Sequence, residues 1–236
     1  MSAVAIIPAR GGSQRIPRKN IKLFNGEPMI AHSIRAAQAS GLFDQVVVST
    51  DDGEIAEVAR AWGAEVPFMR PAALADHFTG TSAVIEHALL ALREGGQAYD
   101  FACCIYATAP LLQERFLREG LALLQANAQV SYVFSVCNFA FPVQRALTLD
   151  PRGHLTALYP EFGHVRSQDL APAYQDAGQF YWGRSEAWLR GDVVFSELSL
   201  PLILPRYFVQ DIDTAEDWTR AEYLYAALRA NGELQP

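Results

Sequence analysis

The sequence predicts an α/β fold, a three-layer α/β/α sandwich around a mostly parallel sheet, on three observations. Short apolar, partly β-branched runs recur at 3–7, 45–49, 101–106 and 131–136, each followed by a segment with apolar residues at helical spacing. The 236 residues are half hydrophobic, enough for one sizeable core. No internal repeat interrupts the alternation, so residues 1–236 are read as one domain, with 138–175 as an inserted arm.

Taken in order, residues 3–7 form a buried strand that Pro8 ends. Ile30, Ile34 and Ala37 recur at i, i+4, i+7 and mark a helix over 28–38, which Gly41 closes. Val46, Val47 and Val48 make 45–49 the second strand, and strand, helix, strand is a right-handed crossover. Thr50-Asp51-Asp52 then ends the strand and caps a helix with Ile55, Val58, Ala59 and Trp62 on one face. Residues 65–68 read as a third, short strand before the loop 70–80. Thr79, Gly80, Thr81 and Ser82 open a helix striped by Val84, Ile85, Ala88, Leu89 and Leu92; their hydroxyls serve equally as helix caps or as ligand groups.

The central strand 101–106 precedes a helix with Leu117, Leu121 and Leu124 on one side, then a strand over 131–136. From 138 to 175 the regularity lapses among Pro142, Pro151, Gly153, Pro160, Gly163 and Pro172, which reads as hairpins or an arm leaving the sheet to cover a partner subunit. Strands resume at 178–183, 201–204 and 207–209. Thr214-Ala215-Glu216-Asp217 is a capping-box pattern opening a last helix that turns Trp218, Ala221, Tyr225 and Leu228 to the core.

Composition excludes several classes. A formal charge of −7 with no extended basic face argues against nucleic acid. No apolar run approaches the roughly 18 residues of a membrane span, and the chain enters a strand directly rather than a signal segment, so a cytoplasmic location is expected. Three cysteines make neither a disulfide framework nor a metal-ligand spacing, and Cys103 and Cys104 belong to a buried strand. His32, His77, His87, His154 and His164 fall in no catalytic or metal pattern and read as structural.

Against this acidic background the loop leaving the first strand stands out. It holds Arg10, Arg15, Arg18, Lys19 and Lys22 without an acid, and these two lysines are the only ones in the chain. Gly11 and Gly12 remove side chains so that backbone N–H groups can meet an anion, and Ser13 adds a hydroxyl. A dinucleotide fingerprint is excluded because the next glycine after Gly12 is Gly26; a P-loop is excluded because neither lysine follows a glycine. Near the other end, Asp211 and Asp213 flank Ile212. Two residues apart in extended chain, their carboxylates point the same way roughly 6.5 to 7 Å apart, a spacing that suits one magnesium–phosphate cluster. The alternative is a helix cap with a surface acid beside it. The basic loop favours the metal, since a phosphate grip and a metal site are complementary halves of nucleotidyl transfer.

These residues resemble a known family. Residues 8–20, Pro-Ala-Arg-Gly-Gly-Ser-Gln-Arg-Ile-Pro-Arg-Lys-Asn, are similar to the signature loop of the CMP-sialic acid synthetases, cytidylyltransferases that activate nine-carbon acidic sugars. Residues 48–56 and 211–214 are also family-like. Tyr106 with 107–110, and the stretches 141–147, 166–170 and 176–183, look most like the branch acting on pseudaminic acid. The resemblance implies a Rossmann-like, GT-A-like nucleotidyltransferase sandwich, a homodimer built through the arm, Mg2+ as cofactor, and conversion of CTP and a sugar acid to CMP-sugar and pyrophosphate. Related acids, N-acetylneuraminate or legionaminate, are the alternatives. By the same resemblance Ala9, Arg10, Gly11, Gly12, Ser13, Lys19 and Asn20 hold the triphosphate and order its loop, while Thr79, Gly80 and Thr81 meet cytosine and ribose. Asp211 and Asp213 ligate the metal; with Arg10 and Lys19 they form the catalytic set. Tyr106, Arg145, Arg166, Gln168 and Gln179 belong to the sugar, Arg166 first for its carboxylate and, with Arg145, from across the dimer. Gln14 stands where many relatives carry lysine, and Gln175 and Ala177 replace an Arg and Asn of the sialic acid enzymes, which favours a differently substituted acid.

In the implied reaction the anomeric hydroxyl attacks the α-phosphorus in line, with Asp211 a candidate base. A nucleotide-sugar-binding protein without turnover is the rival of another class; an NAD-linked oxidoreductase is disfavoured by the missing glycine fingerprint.

Overall fold

The computed structural model describes residues 1–76 and 78–234, so His77 lies outside the described residues. Its elements run β1 (Ala3–Pro8), β2 (Leu23–Phe24), β3 (Glu27–Pro28), α1 (Met29–Ser40), β4 (Gln45–Ser49), α2 (Gly53–Ala61), α3 (Thr81–Glu94) and β5 (Phe101–Ile105). There follow α4 (Glu114–Ala126), β6 (Tyr132–Asn138), β7 (Leu147–Leu149), β8 (Leu155–Ala157), β9 (Tyr174–Arg184), α5 (Ser185–Arg190), β10 (Ser199–Ile203) and α6 (Ala215–Ala230).

Six strands form the main sheet in the order β10-β6-β9-β5-β1-β4. All pair in parallel except β9, which runs antiparallel between β5 and β6. Both faces are covered, as a sheet with parallel crossovers requires. Along β1 the side chains alternate: Ala3, Ala5 and Ile7 join the core under α1, α2, α4 and α6, while Val4 and Ile6 join the core under α3 and α5. That alternation explains a wholly apolar strand, and the three layers match the sequence expectation.

Helix boundaries follow local chemistry. Gly41 takes the left-handed conformation (φ 65°) that ends α1. Asp52 caps α2, accepting from the Ile55 N–H at 3.0 Å, and Thr214 and Asp217 form the expected capping box of α6. Two strand expectations fail. Residues 65–68 contribute only a single parallel bridge from Glu65 to Val47, because Pro67 has no N–H to continue a ladder. Residues 207–209 are not a strand: after Pro205 the chain turns through a short 3-10 helix, Arg206–Phe208, that buries Phe208. The β6 and β9 ladder runs to Asn138 and Tyr174, inside the bounds read for the arm. Between them lie the β7–β8 hairpin and three 3-10 turns. Leu147, Leu149 and Leu155 of that hairpin are more than 60% exposed.

Candidate active site

The site is built at the carboxyl ends of β1, β4 and β5, where ligands of open α/β sheets bind. The loop after β1 is folded on itself by bonds from the Ile21 and Lys22 N–H groups to the Arg18 carbonyl at 3.0 and 2.9 Å, with Arg18 at φ 56°. Asn20, buried, donates through Nδ2 to the Arg10 carbonyl at 2.9 Å, and the Ser13 hydroxyl donates to the Ile16 carbonyl at 2.7 Å. A cleft of about 570 Å³ opens above this loop. Arg10, Ser13, Arg15, Lys19 and Asn20 line it from the loop, Thr79 and Thr81 from the start of α3, Tyr106 from the end of β5, and Asp213 from the approach to α6.

The two ends of the chain therefore meet. Arg15 Nη2 lies 2.7 Å from Asp213 Oδ1, Lys19 Nζ lies 3.4 Å from the same oxygen, and Lys19 Nζ also donates to the Ile212 carbonyl. Asp211, an exposed residue, lies next to Asp213 but does not line the cleft itself; partial desolvation first and the Asp213 charge second push its carboxyl above the usual range. Two carboxylates crowded together with one of them desolvated suit a divalent cation, and magnesium needs only one or two protein carboxylates when phosphates complete its shell. Among the described residues no cluster of three or more potential ligands occurs, so this pair fits that sparse pattern and not an all-protein cage.

The basic loop is less uniform than its composition suggests. Arg18 turns away from the anion role: it pairs with Asp52 Oδ2 at 2.5 Å and with Glu54, so it ties the loop to α2. Lys22 stacks over the Trp218 ring at 4.3 Å. Gly11 gives its N–H to Asp51 Oδ1 at 3.0 Å, and a Cβ there would meet Asp52 Oδ2 at 2.6 Å. Its lack of a side chain thus serves the close approach of the Asp51–Asp52 turn, whereas Gly12 has open space around it. The cationic contribution comes down to Arg10, Arg15 and Lys19, with Arg10 Nη1 donating to the Asp76 carbonyl at 2.6 Å.

The hydroxyls before α3 are not its caps. Gly80 is the N-cap residue and no side chain bonds the first turn. Thr79 Oγ1 donates to Asp76 Oδ1 at 2.7 Å, and Thr81 Oγ1 lies 3.2 Å from the Tyr106 hydroxyl. Tyr106 is held from behind by the Ser33 hydroxyl, which donates to its carbonyl at 2.7 Å.

Other residues read as sugar contacts are dispersed. Gln179 is buried, its Nε2 donating to the Phe208 carbonyl at 2.5 Å. Arg145, Arg166 and Gln168 lie in the arm, away from the cleft; Arg145 donates to the Val165 carbonyl and Arg166 Nε pairs with Asp169 at 2.7 Å.

Sequence reasoning missed two features. Arg70, 6% exposed, lines the cleft, donating to the Ser49 carbonyl and, at 3.1 Å, to Ser49 Oγ; burial and the Arg10 charge lower its pKa while Asp51 opposes them. Nothing local marks it, since its neighbours come from β4, distant in sequence. The second is a cavity of about 410 Å³ that shares Thr81 and Tyr106 with the cleft and continues past Asp176 and Tyr181 to Val194 and Phe195. The Tyr181 hydroxyl donates to Asp176 Oδ2, and burial pushes the Tyr181 pKa up.

The chain is similar to known proteins. The chain resembles in fold a CMP:2-keto-3-deoxy-manno-octonic acid synthetase solved with CTP, at a TM-score of 0.70 and 18% identity over 96% of this chain and 99% of that one. It is 31% identical to the CMP-N,N'-diacetyllegionaminic acid synthase of Legionella pneumophila over 95% of this chain and 96% of that protein. It is 45% identical to the pseudaminic acid cytidylyltransferase of Campylobacter jejuni over 95% of this chain and 97% of that protein. Since the cytidylyltransferase family model also matches residues 4–149, more than half its length, the chain belongs to the cytidylyltransferase family.

Proposed function

We propose that this protein transfers the CMP group of CTP to the anomeric hydroxyl of a nine-carbon acidic sugar, pseudaminic acid first among them, and releases pyrophosphate. The observation that carries the reading is the meeting of the β1 loop with Asp213 in one cleft, Lys19 standing 3.4 Å from its carboxylate and bonded to the Ile212 carbonyl. The 45% identity with a pseudaminic acid cytidylyltransferase supports the choice of sugar, and the 31% identity with a legionaminic acid synthase names the first competitor.

In this reading Arg10 and Lys19 bind the triphosphate and balance the charge that grows on the departing pyrophosphate, a preorganised electrostatic contribution requiring little covalent chemistry. Thr79, Gly80 and Thr81 border the nucleoside. Asp211 and Asp213 hold Mg2+, which when bound neutralises phosphate charge. The attacking oxygen forms its bond to the α-phosphorus as the bond to the bridging β-phosphate oxygen breaks, and the hydroxyl proton passes to the Asp211 carboxylate. The second cavity takes the uncharged end of the sugar. Its Asp176 carboxylate repels the substrate's own carboxylate, while Val194 and Phe195 favour apolar substituents.

The arginines for the sugar carboxylate come from the arm. Because Arg145 and Arg166 lie away from this chain's own cleft while the β7–β8 leucines are exposed, the proposal includes a homodimer in which the arm serves the partner's site. Such a CTP-consuming enzyme belongs in the cytoplasm. No helix among the described residues is long and apolar enough to cross a membrane.

The test is pyrophosphate release with CTP, Mg2+ and a panel of pseudaminic, legionaminic and N-acetylneuraminic acids, with mass detection of the CMP-linked product. Preferred turnover of pseudaminic acid is expected. Product only from another acid corrects the sugar, and nucleotide binding without product from any acid favours the binding-protein rival.

A further inference from the structure

Arg15 has no role in the triphosphate set read from the sequence, yet it makes the shorter of the two ion pairs on Asp213. Its guanidinium lies 2.7 Å from Oδ1, on a side chain that is 66% exposed. Lys19, on the same oxygen at 3.4 Å, is only 18% exposed and is anchored to the Ile212 carbonyl. Asp211 makes no ion pair among the described residues. Asp213 therefore holds both ion pairs, while Asp211 feels the Lys19 charge only from beyond ion-pair distance. An oxygen that already meets a guanidinium is a poor ligand for a divalent ion, because the two positive centres would face each other across it. Of the two cations, Arg15 is the one free to move; Lys19 is fixed.

We propose that Arg15 is the exchangeable counter-charge of Asp213. With the cleft empty it neutralises the carboxylate. When a polyphosphate enters, it transfers to phosphate oxygens, for which its forked donors are suited, and leaves Asp213 to the metal. The inference rests on the reading of the cleft as a nucleotide–metal site. It makes the two ligands mutually dependent through one side chain, and linkage requires the effect to run both ways.

The test uses the full chain without sugar, and binding as readout. Mn2+ alone, followed by electron paramagnetic resonance, should bind Arg15→Gln about twofold to fivefold more tightly than the unaltered protein, the range an exposed ion pair is worth. Arg15→Lys should restore most of the unaltered affinity, and Asp213→Asn added to Arg15→Gln should erase the gain. In the converse arm, with EDTA present, inorganic tripolyphosphate should bind Asp213→Asn more tightly than the unaltered protein by a similar factor, and the gain should vanish in Arg15→Gln/Asp213→Asn. Melting curves confirm that these surface variants fold. Unchanged or weaker Mn2+ binding by Arg15→Gln, or no tripolyphosphate gain in Asp213→Asn, overturns the exchange. Absence of CTP turnover with any acid tells instead against the function on which the exchange rests, so the two failures are separable.

Discussion

Asp211 is the residue where function and stability pull apart. Its carboxyl is held above the usual range mainly by desolvation, then by Asp213, so the folded protein disfavours the charge that the proposed Mg2+ would need. An acid with a raised folded pKa costs stability at neutral pH; that cost shrinks as the pH falls below the folded value and is gone below the ordinary value of 3.8. Asp211→Asn should therefore raise the melting temperature of the metal-free protein at pH 7, at about 2–4 °C for each kcal/mol recovered, and the difference should shrink in acid. The same variant should lower kcat about 100-fold or more, measured by pyrophosphate release. Asp52 shows the opposite sign. Its hydrogen bond with Arg18 comes first among the causes that lower its pKa, so its contribution is complete above the ordinary value of 3.8 and is lost as pH falls below it through the folded value. Asp52→Ala should cost about 1–2 kcal/mol in urea titrations at pH 7, from the lost α2 cap and the lost pair with Arg18, and much less near pH 2.

At the scale of elements, β9 sets the site's frame. It brings Tyr181 and Asp176 to the second cavity, and its Gln179 holds the turn that leads to Asp211. Its packing allows no side chain at Gly183: a Cβ would stand 2.2 Å from Trp188 Nε1 and 2.7 Å from a Tyr132 ring carbon. Gly183→Ala should destabilise by about 1–3 kcal/mol, read by denaturant titration, because both rings are buried and neither can withdraw. The helices were readable from spacing and caps, as Gly41 and the Thr214–Asp217 box illustrate. The false strands at 65–68 and 207–209 show the limit. Apolar composition there reflects packing that is partial at Val66, Phe68 and Val209 and complete only at Phe208, and prolines at 67 and 205 decide the backbone.

For the whole molecule, the arm is the element whose apolar side chains this chain leaves uncovered. Leu149 and Leu155, 65% and 66% exposed, face no core of their own. Leu149→Asp/Leu155→Asp should halve the mass measured by analytical ultracentrifugation while leaving the far-ultraviolet circular dichroism unchanged. It should also depress turnover more through the KM of the sugar than through that of CTP, since the arm carries Arg145 and Arg166. An unaltered mass that is already monomeric sets aside the dimer and with it the cross-subunit arginines.

The sequence by itself determined the layered α/β architecture, because strand and helix periods and caps are local, and it located the basic loop and the acidic pair, because charge and spacing are visible in one dimension. Only the tertiary structure decided how those charges are shared. It gave Arg18 to Asp52, set Arg15 and Lys19 on Asp213, drew Arg70 into the cleft from a loop with no local mark, and opened the cavity behind Tyr106. The reason is physical: an ion pair or a cavity depends on which distant segments the sheet order brings within a few ångströms, and the order β10-β6-β9-β5-β1-β4 is not written in any one of them.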